Sequence, residues 1–99
     1  MYRIRLLASA HDERRNLPGV IRQRIKKIIE ALGEEARPDN SIMLRFSTNA
    51  SWEPRRIRVD LWRILYAVDD EFKQIAVLAI RKRPPYDYED VLDLLAELE

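Results

Sequence analysis

A chain of 99 residues, 46% of them hydrophobic, has room for one core and one site. Without cysteine it can form neither a disulfide framework nor a thiolate zinc site, and with neither a secretion-signal pattern nor a long apolar run it is expected to be soluble and cytoplasmic. The formal net charge of +1 conceals a gradient: residues 1–54 hold ten basic and seven acidic side chains, residues 55–83 eight and four, and residues 84–99 none and six.

In chain order, Tyr2-Arg3-Ile4-Arg5-Leu6-Leu7 alternates as a half-buried strand with Tyr2, Ile4 and Leu6 inward. Ser9 is suited to cap a short helix running through Asn16, which Leu17-Pro18 breaks. Gly19 to Leu32 reads as a second helix, with Ile21, Ile25, Ile28, Ile29 and Leu32 on one face, Arg22, Arg24, Lys26 and Lys27 on the other, and Gly33 at its end. A loop around Pro38 follows, then a strand over Ile42–Phe46 and a turn over Thr48–Trp52, with Pro54 at the start of the next strand. The single histidine, His11, reads as a surface residue, and Trp52 has no assignable partner.

The stretch Arg55 to Arg83 carries the most information. If Asp60-Leu61 is a two-residue hairpin loop, Val59 pairs with Trp62, Arg58 with Arg63 and Ile57 with Ile64, because loop length fixes antiparallel register. Ile57, Val59, Trp62, Ile64, Tyr66 and Val68 then share an apolar face for the helices to cover. Arg56, Arg58 and Arg63 share the other with Leu65 and Ala67, and opposed like charges require a solvated face or a bound polyanion. In Gln74–Arg83 the bulky Leu78 and Ile80 are assigned to the apolar face, which sets Arg81 and Arg83 on the arginine face and points Lys82 to the core side unless the strand ends or bulges before it. Asp87 to Leu98 closes the chain as an acidic helix with a Val91, Leu92, Leu94, Leu95, Leu98 seam.

The segments Tyr2-Arg3-Ile4, the Leu17-Pro18 helix hairpin, Arg56-Ile57-Arg58-Val59, Trp62 to Asp70 and Ile75 to Arg83 resemble the RelE/ParE superfamily of type II toxins, most closely its RelE-like branch. The resemblance spans nearly the whole chain, residues 1–99, as a single domain. It implies a small α+β fold: an antiparallel sheet, an N-terminal helix hairpin packed on one face and a C-terminal helix. The activity it implies is ribosome-dependent cleavage of mRNA, in which a ribose 2'-hydroxyl attacks the adjacent phosphate, with no metal and no cofactor.

By that resemblance Arg63 matches the central catalytic arginine and Arg83 the basic residue ending the last strand, while Arg56 and Arg58 stand where RelE-like nucleases carry lysines. Tyr88, or alternatively Tyr86, corresponds to the substrate-orienting tyrosine, and Arg81, Lys82 and Tyr86 are expected in substrate binding. Arginine is not deprotonated in proteins, so the general base is left open among Lys82, Tyr86 and Tyr88. The implied partners are a cognate antitoxin, the ribosome and its mRNA, with DNA reached only through the antitoxin and no membrane. Two alternatives stand beside this: a ParE-like inhibitor of DNA gyrase, and a catalytically degenerate module that only binds its antitoxin. Arg63→Ala is expected to abolish activity with stability near wild type, and the acidic C-terminal helix to screen the basic face.

Overall fold

The structure is a computed structural model and describes residues 1–45, 51–82 and 90–98. Strands β1 (Arg3–Leu6), β2 (Ser41–Met43), β3 (Glu53–Val59), β4 (Trp62–Asp69) and β5 (Gln74–Lys82) form one sheet in the order β1-β5-β4-β3-β2. Helices α1 (Ala8–Arg15) and α2 (Gly19–Ala31) lie between β1 and β2 in the chain, and α3 (Val91–Ala96) follows β5. The α+β class is as read, but the sheet is mixed. Its β2·β3, β3·β4 and β4·β5 pairs are antiparallel, whereas β1 joins β5 in parallel, with Ile4 opposite Ile75 and Leu6 opposite Val77. A parallel pair needs a long connection, and here nearly the whole chain between the two strands supplies it.

The β3–β4 hairpin has the register expected from a two-residue loop: Val59 faces Trp62, Arg58 faces Arg63 and Ile57 faces Ile64. Asp60 supplies the left-handed backbone the turn needs, at φ 54°, a region aspartate tolerates better than most non-glycine residues. At the other end of β4, Asp69 pairs with Gln74, and its carboxylate accepts the Glu71 N–H at 3.0 Å to shape the loop between them.

Two apolar layers sandwich the sheet. Ile57, Val59, Ile64, Tyr66, Val68, Ile75, Val77 and Ile80 pack with Ala10, Leu17 and Leu32 and with Ile25 and Ile29 of α2. Tyr2, Ile4, Leu6 and Trp62 border this layer. The opposite face is not left to solvent: Leu65, Ala67, Ala76, Leu78 and Ala79 are buried beneath Val91, Leu94 and Leu95 of α3, together with Leu7 and Trp52. Trp52 thereby gains its partners.

Several local expectations change. No side chain caps α1, whose N-cap position is Leu7; the Ser9 hydroxyl donates instead to the Leu78 carbonyl at 3.1 Å. Helix α2 ends at Ala31, and Gly33 is needed for close approach, not for a left-handed cap. Its carbonyl accepts the Tyr2 N–H, and a Cβ there would stand 3.3 Å from the Glu30 carbonyl oxygen and 3.4 Å from that of Tyr2. Strand β2 covers Ser41–Met43, not Ile42–Phe46, and Phe46 lies outside the described residues. The last helix is described from Val91, with Leu92 exposed, and residues 87–89 lie outside the description.

A β-bulge also changes the expected parity of β5. Tyr66 faces Val77 while Leu65 faces Ala79, so Leu78 is the extra residue and turns toward α3 instead of joining Ile80 on the helix-hairpin face.

Candidate functional site

The hairpin end of the sheet brings three of the predicted arginines into one registered row. Arg58 on β3 faces Arg63 on β4, which faces Arg81 on β5. Adjacent strands run about 4.7–4.9 Å apart, so three cationic stems are held within about 10 Å across the sheet. Such a row is electrostatically costly unless its members find counter-charges, and each solves the problem differently.

Arg58 is exposed, and its Nε approaches the Asp60 carbonyl at 3.5 Å. Arg63 is only 2% exposed, and its Nη1 donates to the carbonyls of Trp62 at 3.0 Å and Asp60 at 3.3 Å. A guanidinium expected on a solvated face is thus buried and turned into the hairpin. Arg81 forms a bidentate pair: Nη1 donates to Asp90 Oδ1 at 2.7 Å and Nη2 to Asp90 Oδ2. Glu13 adds a second carboxylate, its Oε2 3.9 Å from Arg81 Nε.

Helix α1 explains why Glu13 is there. Beyond the end of β1 the edge of β5 has no strand to pair with among the described residues, and α1 replaces it: Ser9 donates to the Leu78 carbonyl and Glu13 Oε1 accepts the Ile80 N–H at 3.1 Å. Burial pushes the Glu13 carboxyl above its ordinary range, against the pull of the Ile80 N–H and of Arg81. The hydrogen bonds from Arg81 hold the Asp90 carboxyl below its ordinary range, so Asp90 is a carboxylate throughout the physiological range.

Arg56 is half-buried one step farther down β3, opposite Leu65. Lys82 faces Trp62 at the end of β5 and is exposed, because the helix-hairpin layer stops short of it. With Glu13, Asn16, Leu17, Trp62, Ile80 and Arg81 it lines an open cleft of about 400 Å³ beside the row. Arg83, Tyr86 and Tyr88 lie outside the described residues. Sequence reasoning missed Glu13 and Asp90 as part of this site. The only signal for Asp90 was its place at the start of the last helix, where an acidic residue serves equally well as a dipole partner, and Glu13 lies in the second half of α1.

Two other charged regions are distinct from the row. At the opposite end of the sheet, Arg37 bridges Glu53 and Asp70, while Arg55 holds Glu53 and Ser41 and the Tyr2 hydroxyl donates to Asp70. This is a closed network of structural character. Between α1 and α2, Arg14, Arg15, Arg22, Gln23 and Lys26 line a basic groove of about 440 Å³. Among the described residues no cluster of histidine, aspartate and glutamate could hold a metal ion, and no helix is long and apolar enough to cross a membrane.

This architecture is the RelE-like α+β fold. An archaeal RelE–RelB complex from Pyrococcus horikoshii is similar with a TM-score of 0.74 at 23% identity, over 86% of this chain and 98% of that one. The RelBE2 toxin–antitoxin complex of Mycobacterium tuberculosis gives 0.69 at 23%, over 83% and 98%. The isolated RelE toxin of E. coli gives 0.64 at 19%, over the full length of both chains. No protein-family model and no curated protein matches the sequence.

Proposed function

We propose that this protein is the toxin of a type II toxin–antitoxin module and a metal-independent endoribonuclease that cuts mRNA on the ribosome, inhibiting translation. The observation that carries the reading is the row Arg58, Arg63, Arg81, three arginines in register on adjacent strands at the hairpin end of a RelE-like sheet. In the proposed reaction a ribose 2'-oxygen attacks the neighbouring phosphorus and the 5'-oxygen of the next nucleotide leaves. Negative charge builds on the phosphorane oxygens, and guanidinium forks stabilise it through paired, permanently charged donors. Arg58 and Arg81 contact the phosphate, Arg63 adds its charge from beneath, and Arg56 and Arg83 extend the positive field. Proton transfer falls to Lys82, Tyr86 or Tyr88, since arginine does not release its proton.

The cognate antitoxin is the partner the RelE–RelB complexes suggest, and an acidic antitoxin segment would complement the charge of the row. The basic groove between α1 and α2 suits backbone phosphates of ribosomal RNA. One observation favours a second reading. A buried Arg63 that already serves two backbone carbonyls fits a non-catalytic binder, such as a gyrase inhibitor, as well as a nuclease.

One experiment separates the two readings. Purified protein is mixed with programmed ribosomes, mRNA ends are mapped by primer extension, and gyrase supercoiling is assayed alongside. New 5' ends within the A-site codon are expected. Intact mRNA with lost supercoiling would transfer the protein to the gyrase class.

A further inference from the structure

The fork of Arg81 is filled by a carboxylate of the same chain. Asp90 engages it through both oxygens, in the bidentate geometry that a phosphodiester's two non-bridging oxygens also present. Asp90 is half exposed, its side chain 48% accessible against 22% for Arg81, so solvent and a ligand can reach the pair from outside. It also stands immediately before α3, whose six residues hold the sheet mainly through Val91, Leu94 and Leu95. A helix this short has no stability of its own and stays only while it is docked. The Arg81–Asp90 pair is therefore both an occupied anion position and a tether at the start of α3.

We propose that Asp90 is an internal stand-in for the substrate phosphate: an RNA phosphodiester taking its place on Arg81 releases the start of α3, so that RNA binding and α3 docking compete. The inference rests on the reading of the row as an RNA-phosphate site, and deepens it by naming the group that must leave before Arg81 can act. Charge favours the exchange, because a phosphate between Arg58 and Arg81 meets two guanidiniums where Asp90 meets one, and Asp90 then regains full hydration. Glu13 stays behind, bound to the Ile80 N–H, and keeps Arg81 aimed along the row after Asp90 has gone. An antitoxin carboxylate offered to Arg81 would use the same exchange.

The test is binding of a short, 2'-O-methylated single-stranded RNA, which cannot be cut by 2'-hydroxyl attack, measured by fluorescence anisotropy at low salt. Asp90→Asn keeps the side-chain shape, removes the charge and is expected to bind about fivefold more tightly. That gain should vanish in the Arg81→Ala background, and Asp93→Asn, an equal change of net charge one turn away, should produce less of it. In the unaltered protein, saturating RNA should speed amide exchange across residues 91–98. Unchanged or weaker binding by Asp90→Asn overturns the proposal. So does a gain that survives Arg81→Ala or is matched by Asp93→Asn, or exchange in α3 that RNA does not alter. Cleavage of programmed ribosomes is scored separately, so a protein that shows the exchange yet cuts no mRNA keeps the latch and loses the nuclease assignment.

Discussion

Replacing Arg63 with alanine should do more than remove a positive charge. The side chain is buried, and its guanidinium ties the Trp62 and Asp60 carbonyls at the hairpin turn. Losing two buried methylenes costs about 1.6 kcal/mol, and losing hydrogen bonds from a charged donor costs about 1.5–3 kcal/mol. Against this, alanine removes a desolvated cation and its repulsion with Arg58 and Arg81, an offset of about 2 kcal/mol. The net is a destabilisation of roughly 2 kcal/mol, or about 8–16 °C in Tm for a domain of this size. Arg63→Met fills the same volume without charge and should melt close to the unaltered protein. Both variants should lose mRNA cleavage, which makes methionine the informative one: folded and inactive. Thermal melts and primer extension on programmed ribosomes read the two effects separately. Arg63→Ala melting within about 2 °C of the parent would refute the structural account and is the result that a solvated arginine face implies. Cleavage retained by Arg63→Met would refute the phosphate role.

Three further outcomes are expected. Tyr66→Phe removes the 2.8 Å hydrogen bond from a fully buried hydroxyl to the Ala36 carbonyl and should cost about 1 kcal/mol in urea denaturation. Ser9→Ala leaves the Leu78 carbonyl without its donor and should cost about 1 kcal/mol by the same measurement. Asp70, held by Arg37 and Tyr2, ionises at about 2 where 3.8 is usual. A depressed folded-state value means the contribution is complete above 3.8 and is lost as pH falls from there through about 2, so Asp70→Asn should flatten the acid limb of the stability profile in that window.

The parts legible in the sequence are those set by local rules. The hairpin register followed from a two-residue loop between alternating strands, and the apolar stripe of α2 from helical spacing. The parallel β1·β5 pair was illegible because its partners are about seventy residues apart and nothing in either strand specifies direction. Burial of Arg63 was missed for a different reason. Arginines at one end of a face do not describe the whole face: Leu65, Ala67, Ala76 and Ala79 on the same side are apolar, the composition of a surface that a helix covers. That face carries the arginine row at the hairpin end and a buried apolar layer beneath α3. Glu13 and Asp90 became part of the site only once the edge of β5 and the start of α3 had positions.

The bulge at Leu78 links these features. On the loop side of β4–β5 the pairs Asp69–Gln74 through Tyr66–Val77 follow one register, and at the hairpin end Leu65–Ala79 through Trp62–Lys82 follow another, shifted by one residue. Had the first register continued, Ile80 would face Arg63 and Arg81 would face Trp62, on the side of the sheet packed against α1 and α2. The guanidinium would have left the arginine row, and an isoleucine would have taken its place opposite Arg63. One extra residue in β5 therefore does two things: it returns Ile80 to the core and brings Arg81 opposite Arg63, within reach of Asp90. The Ser9 hydroxyl on the Leu78 carbonyl steadies that extra residue from outside, which makes α1 a support of the row as well as a cover for the core. The arginine constellation thus depends on an irregularity in β5 that no side-chain pattern announces.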